Sequence, residues 1–472
     1  MWRNQQQISN FNRSGFIQSV VITSDPQYPW TDCTMGVPFQ NCNIGTVSPC
    51  NNFQENESTK EQRSEALIRE QYNNINSYTD TVPYASVLIN GDITAYGHGW
   101  QWDKMNHTLL PILKRPYYYG LGNHDIENNF NNCVNNGCFK NSLNYLQGHV
   151  RHYNLPSSQF DYSARPIVTW AGVGERREGS FAYAINFRNI CSIQLQNNPH
   201  MNAFAGVSGT NSNEYHIFEN RNWLENQLRS AKESGKIIIV NVHYNGFLNA
   251  NYSSLLQEYG VVAVFSGHTH VDCGRVGSVG NIPHFRSGCA MLRTYLILEH
   301  FSDRLDIYAV NCNDWRNHRQ LVGSITVPEP PEFDGTFQIA KDLTNNIVVD
   351  LNTGTNNVTL WSNHGGSNQR WNFTYNRPKD AYILRSVSDQ RLVLAWNVSS
   401  FNRNVFATPG PSLDEHYWIL SRYRLSDGYG TVFRNKKDPN MILGTEGGGT
   451  SSGTNLIVSQ GGVYGNQIFF VR

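Results

Sequence analysis

The sequence is short of charge. Its 472 residues hold 37 Lys+Arg and 37 Asp+Glu, 16% in all, with a formal net charge of zero. An average soluble domain carries about 25%. Without a basic excess there is little field to drive nucleic-acid binding by counterion release, and such binding is not expected. No run of about 18 apolar residues is present, so no transmembrane segment is expected. The opening residues, Met1-Trp2-Arg3-Asn4-Gln5-Gln6-Gln7, are polar and lack the apolar stretch of a signal peptide. A removed leader, another export route and an intracellular location all stay open. The polarity that is present is uncharged: mean hydropathy is −0.49, carried by Asn, Gln, Ser, Thr and Gly. With 39% apolar and 12% aromatic residues the chain is not disordered, and its length predicts two or three domains.

Nine cysteines are present. Cys33, Cys42 and Cys50 cluster in an Asn/Gly/Pro-rich stretch, and Cys133 and Cys138 bracket Val-Asn-Asn-Gly. Short loop spacings of this kind favour disulfides in an oxidising compartment. A Cys133–Cys138 bond is predicted, and spacing assigns no other pair. A secreted or extracellular protein is the expectation.

Apolar strand-like runs alternate with helical stretches over the first two thirds. Strands are predicted at 16–23, 87–89, 117–121, 236–242 and 261–265, and helices at 58–78, capped by Ser58 or Thr59, and at 213–234. Such alternation predicts an α/β unit with a mainly parallel sheet covered on both faces. At 328–334, Val327-Pro328-Glu329-Pro330-Pro331-Glu332 opens a stiff linker, so the predicted domains are 1–327 and 335–472. Beyond it come three stretches of short strands. They close on Gln369-Arg370-Trp371, His416-Tyr417-Trp418 and Gln467-Ile468-Phe469. A threefold repeat of units too small to bury a core alone predicts an all-β trefoil.

Five segments place ligand-type residues directly after a predicted strand: Asp25-Pro26-Gln27, Gly91-Asp92, Gly122-Asn123-His124-Asp125, Val242-His243 and Gly267-His268-Thr269-His270. The carboxyl ends of parallel strands share one rim, where ligands bind. Carboxylates, imidazoles and amide oxygens brought together there suit two divalent ions about 3.5–4 Å apart, which can clamp a phosphoryl group.

This series resembles the calcineurin-like metallophosphoesterases over about residues 16–312. The resemblance implies a four-layer α/β/β/α sandwich and hydrolysis of a phosphoester by a metal-bound hydroxide. It implies one cation held by Asp25, Gln27, Asp92 and His270 and another by Asp92, Asn123, His243 and His268. His124 would face the scissile phosphate as general acid. Asp125 would orient the His124 ring, or else cap the following turn. Gln27 stands where most members have His, and a neutral amide oxygen leans toward Mn or Mg over Zn, with Fe also among the metals the set suits. Mn is favoured. Tyr28, His98, Asn245 and Arg275 are candidates to line a substrate pocket.

The segment 335–472 resembles a ricin-type β-trefoil lectin. Its first repeat holds the elements of a sugar site: Asp350 as acceptor, Trp361 as platform, and the amides of Asn368 and Gln369. The second repeat has Val393 and Leu394 where the acid should stand, and the third has Gly444, so one working site at most is expected. The combined expectation is a phosphoesterase delivered to a glycosylated surface, in the manner of an exported toxin-like effector, with a phosphoester substrate and a glycan partner. The rival reading is a lectin whose phosphoesterase domain is an inactive scaffold.

Overall fold

The computed structural model describes residues 15–35, 42, 47, 50, 55–131, 133–170, 172–207, 212–327, 333–376, 379–426 and 428–472. The chain forms two compact units that divide near residue 330. The expected linker falls largely on 328–332, outside the described residues. No helix among the described residues is long and apolar enough to cross a membrane.

In the first unit, β1 (Phe16–Thr23) leads through α1 (Asp32–Met35) and α2 (Glu57–Thr79) to β2 (Ala85–Ile89). Helix α3 (Gly99–Lys104) precedes β3 (Tyr117–Tyr119), and α4 (Gly137–His152) precedes the hairpin β4 (Ser163–Thr169) and β5 (Gly172–Glu178). A hairpin of β6 (Tyr183–Phe187) and β7 (Ile190–Gln194) is followed by β8 (Ala203–Ala205) and β9 (Glu214–Ile217). Helix α5 (Arg221–Glu233) leads to β10 (Ile237–Asn241), and α6 (Ala250–Glu258) leads to β11 (Val261–Ser266). Five strands close the unit: β12 (Cys273–Val279), β13 (Ile282–Ser287), β14 (Tyr295–Phe301), β15 (Arg304–Val310) and β16 (Arg319–Thr326).

These strands make two six-stranded sheets, ordered β16-β15-β14-β1-β2-β3 and β12-β13-β11-β10-β7-β6. Both are mixed, where a mainly parallel sheet was predicted. β1, β2 and β3 run parallel in one and β7, β10, β11 and β13 in the other, with antiparallel strands completing each. The two sheets face one another. Ile237 and Ile239 of β10 share a core with Val20, Ile22 and Leu296 of the first sheet, while Ile238 and Val240 pack with Leu224 of α5 and Leu255 of α6. A strand covered on both faces is apolar at every position, which is why β10 reads as an unbroken run. Helix α2 covers the other side of the first sheet with Ile68, Tyr72 and Ile75, completing four layers.

Two local expectations are corrected. Helix α2 is capped by Asn56, whose side chain accepts from the Thr59 N–H at 2.9 Å, an arrangement typical of an N-cap. The predicted helix at 213–234 begins only at Arg221, because Glu214–Ile217 is a strand paired with both β5 and β8. Tyr215 and Ile217 alternate inward there, a period of two that Trp223 and Leu224 masked at the sequence level. The Cys133–Cys138 disulfide is present, with Cys33–Cys50 and Cys42–Cys312. Cys191, Cys273 and Cys289 are free thiols.

The second unit is a trefoil. Three related hairpins pair Ile347–Leu351 with Val358–Ser362, Leu392–Trp396 with Val405–Pro409, and Met441–Thr445 with Leu456–Gln460. Trp371, Trp418 and Phe469, the closing aromatics of the repeats, are fully buried in one core. A ring of amides marks the threefold axis. Asn357 donates to Asn455 at 3.0 Å, Asn455 to Asn404 at 2.8 Å, and Asn404 to Asn357 at 2.9 Å. Equivalent atoms can close such a ring only around an axis relating all three repeats.

Candidate active site

The five predicted segments meet beyond the carboxyl ends of β1, β2, β3, β10 and β11. Asp25, Gln27, Asp92 and His243 are almost wholly buried. One ligand atom each of Asp25, Asp92 and His243 lie within 4.8 Å of one another. His243 Nε2 is 3.1 Å from Asp92 Oδ2, and His270 Nε2 is 3.1 Å from Asp25 Oδ1. Asn123 Oδ1 stands 3.0 Å from both His243 Nε2 and His268 Nδ1. His243 is oriented from behind, since its Nδ1–H donates to the Asn90 carbonyl at 2.7 Å, which turns Nε2 to the centre.

The backbone is strained to achieve this. Asp25, Gln27, Asp92 and His268 have φ of +50°, +44°, +50° and +69°, values uncommon for residues other than glycine. Gly122 explains one of the glycines: a Cβ there would overlap the Asp92 carboxylate.

Charge is concentrated here. Burial alone would raise the Asp25 carboxyl, but His243 and His270 outweigh it and hold it below its ordinary value. Burial disfavours a charged His243, yet Asp92 and Asp25 push that imidazole up to about 10. His268 moves the other way, lowered by burial and by neighbouring His243. Buried carboxylates beside imidazoles can hold cations once the imidazoles give up their protons, since only the neutral ring ligates. Gln27 supplies the sharpest test of fit. Its amide is fully buried, and neither Oε1 nor Nε2 has a hydrogen-bond partner among the described residues. Buried amides normally have partners, and a cation beside Asp25 and His270 would supply one. The donor set therefore fits divalent metal ions.

His124 lies at the edge of this centre, half buried. Its N–H donates to Asp92 Oδ1 at 2.9 Å and its Nδ1–H to the Ala95 carbonyl at 2.9 Å. Of the two expectations for Asp125 the second holds: it caps the turn at Asn123–Glu127 by accepting from the Gly122 N–H, while the Ala95 carbonyl orients the His124 ring. The Asp125 carboxylate is occupied by Ile93 N–H, Thr94 N–H, Thr94 Oγ1 and Gly122 N–H at 2.8–3.0 Å. It ties the loop after β2 to the loop after β3. Burial and the nearby Asp92 push it up to about 7 despite these bonds.

Sequence reasoning missed two aromatic residues. Trp30 sets its ring edge-on to His124 at 4.8 Å and to His270 at 6.4 Å, and Tyr244 lies 4.5 Å from the His268 ring. The available signal was their closeness to Gln27 and His243 in the chain. Of the pocket candidates, Tyr28 is buried and pairs with Thr94, while Arg275 is exposed on β12.

In the trefoil, Asp350 Oδ2 accepts from Asn368 at 3.0 Å and Gln369 at 2.8 Å. The Trp361 side of the hairpin is open, with Trp361 47% exposed. Gln369 is corrected from a sugar contact to a positioning group. It is fully buried, donates to Asp350 and the Ser362 carbonyl, and accepts from His364 and Gly365 N–H. The acid position of the second repeat is Ala395 instead of Val393 or Leu394. Trp371 Nε1 donates to the Val349 carbonyl as Trp418 Nε1 does to Leu394, so the residue after each carbonyl is the equivalent one. Asn368 and Asn466 donate likewise to Leu351 and Thr445, which keeps Gly444 opposite Asp350.

The first unit has the fold of a phosphoesterase family and the second that of a trefoil module. A model of calcineurin-like phosphoesterase matches residues 20–272, more than half of the sequence, and the chain belongs to that family. The C-terminal region is similar to the main hemagglutinin component type C of Clostridium botulinum C phage, 29% identical over 115 residues. That match covers 22% of this chain and 39% of the relative. Pierisin of Pieris brassicae is 28% identical over 117 residues, 24% of this chain and 13% of that protein. The chain thus spans well under half the length of the curated relatives it matches. Among solved structures, a mosquitocidal holotoxin shows 26% identity, covering 33% of this chain and 19% of that one with a TM-score of 0.28. A Macrolepiota procera ricin B-like lectin in complex with lactose shows 22% identity, covering 30% and 98%, with a TM-score of 0.25.

Proposed function

We propose that this chain is a divalent-metal-dependent phosphoester hydrolase, built on residues 1–327 and brought to glycosylated surfaces by the trefoil at 335–472. The observation that carries the proposal is the buried Gln27 amide, which has no hydrogen-bond partner among the described residues and lies in a ring of acids and imidazoles. Asp25, Gln27, Asp92 and His270 would hold one cation, and Asp92, Asn123, His243 and His268 the other. Manganese is the favoured metal, because an amide oxygen and carboxylates weight the set toward harder ions. When bound, such cations neutralise phosphoryl oxygens and lower the pKa of water.

The chain's own residues do the rest. His124 is anchored through Nδ1–H to Ala95 O, which leaves Nε2 to deliver a proton to the leaving oxygen. Trp30 packs against that ring and limits its rotation. In the trefoil, Asp350 and Asn368 would bind sugar hydroxyls, and Trp361 would stack on the ring. Three disulfides support an oxidising, extracellular setting, and the toxin and hemagglutinin relatives support an exported effector. Hydrolysis of p-nitrophenyl phosphate and bis-p-nitrophenyl phosphate with added Mn tests the enzyme. Activity lost in EDTA and reduced at least a hundredfold in His124→Ala is expected. Equal rates in the variant remove His124 from the mechanism, and no turnover with any metal leaves a lectin on an inactive scaffold. Glycan-array binding should vanish in Asp350→Ala.

A further inference from the structure

The hairpin of β4 and β5 stands apart from the chemistry above. Its distal part is exposed and apolar: Val168 is 86%, Trp170 77% and Val173 77% exposed. Val168 and Val173 are direct cross-strand partners, so both side chains leave the same face of the ribbon, with Trp170 following at the turn. From Ser163 to Gly174 the sequence holds one cation, Arg165, and no acid. Exposed valines and a tryptophan at the end of a ribbon are unfavourable in water and are not a usual surface composition.

The base of the hairpin is held firmly. The Arg177 guanidinium donates to Asn144 of α4 and to the Tyr215 hydroxyl, the latter at 3.2 Å. Arg176 pairs with Glu214 at 2.8 Å, and β5 is locked to β9 in parallel register. The ribbon is therefore a stiff projection with a greasy tip. Ser212 Oγ donates to the Val173 carbonyl and the Glu175 N–H donates to Asn213, so the part that stands clear is the end around Val168, Trp170 and Val173.

We propose that this tip inserts into the headgroup region of a phospholipid bilayer and docks the chain on a membrane surface. Three side chains on a convex end fall far short of the 20–30 residues per side that a stable protein interface uses. β4 is the open edge of its sheet, but Pro166 removes a donor from it, which disfavours addition of a partner strand. Interfacial insertion needs only about 5–10 Å of depth, which two or three residues of a strand span. Tryptophan suits that depth, apolar in body with one N–H for the headgroups. Arg165 sits toward the base of the ribbon, 3.6 Å from Glu178, so the tip itself is uncharged and its insertion would be driven by apolar contact alone.

Flotation of the full chain with vesicles of phosphatidylcholine, with and without phosphatidylserine and free of glycolipid, tests this apart from sugar binding. The wild type is expected to float with both. A Val168→Ser/Trp170→Ala/Val173→Ser variant should lose at least tenfold in bound fraction, with unchanged circular dichroism. Should the triple variant misfold, brominated lipid gives the same answer: quenching of wild-type tryptophan fluorescence should fall in Trp170→Phe. No flotation of the wild type, equal flotation of the triple variant, or unchanged quenching overturns the proposal. Vesicle-independent self-association that the triple variant abolishes also overturns it, in favour of a protein contact.

Discussion

Replacing Gln27 by Leu sets two effects of opposite sign against each other. In the metal-free chain the buried amide has neither of its polar atoms bonded. Such a group costs about 1–3 kcal/mol, and Leu fills a similar volume without it. The backbone at φ +44° is unfavourable for both residues, so that term cancels. Metal-free Gln27→Leu should therefore be the more stable protein by about 1–3 kcal/mol. At roughly 2 °C per kcal/mol for a unit of this size, its transition in EDTA should rise by roughly 2–6 °C. Saturating Mn should cut the advantage by about 1.4 kcal/mol. A metal at about 1,000 times its Kd stabilises by about 4.1 kcal/mol, and a site weakened tenfold forfeits about 1.4 kcal/mol of that. Calorimetry in EDTA and in Mn reads both quantities on the same sample. A metal-free variant that melts below wild type, with an undiminished shift on adding Mn, would refute the reasoning, since the amide would then be an ordinary structural group.

Three further outcomes are expected. Asp125→Ala leaves the N–H groups of Ile93, Thr94 and Gly122 without their acceptor, and denaturant unfolding should show a loss of roughly 2–5 kcal/mol. Asn404→Ala removes two of the three bonds in the amide ring, so the trefoil transition should weaken by about 1–2 kcal/mol while the metal response of the first unit is unchanged. Acid should destabilise the first unit. Burial holds His149 down to about 3, and His284 and His300 down to about 4 each, against about 6.5 unfolded. Below pH 6.5 the unfolded chain takes up protons that these residues refuse, so stability present above 6.5 falls toward pH 4. The slope is up to about 1.4 kcal/mol per pH unit for each group. Asp125, held up to about 7, acts oppositely over pH 4–7, one proton against three. Melting temperatures that stay flat from pH 7 to 4.5 would contradict this.

Where side chains follow a period, the sequence was readable. The largely buried strands β10 and β11 are near-continuous apolar runs, and the ligand residues sit directly behind strands, so local order in the chain maps onto one rim of the fold. The strand at Glu214–Ile217 was hidden because its partners β5 and β8 come from other parts of the chain. Asp125 looked like a partner for His124 by adjacency, yet successive residues point apart, and its carboxylate turned instead to N–H groups some thirty residues earlier. Gln369 shared a motif with surface residues, although its bonds place it inside.

The scarcity of charge, the five ligand-bearing segments and the three repeats that each close on an aromatic residue are properties of composition and spacing, and the sequence by itself determined them. It thereby determined the two folds and the residue types of the candidate metal site. Tertiary structure alone decided which groups meet: that Ala95 orients His124, that the Gln27 amide is left without a partner, that three asparagines 47 and 51 residues apart close a ring, and that Trp170 stands in solvent. Hydrogen-bond direction and burial depend on atoms supplied from distant parts of the chain, and no local pattern carries that information.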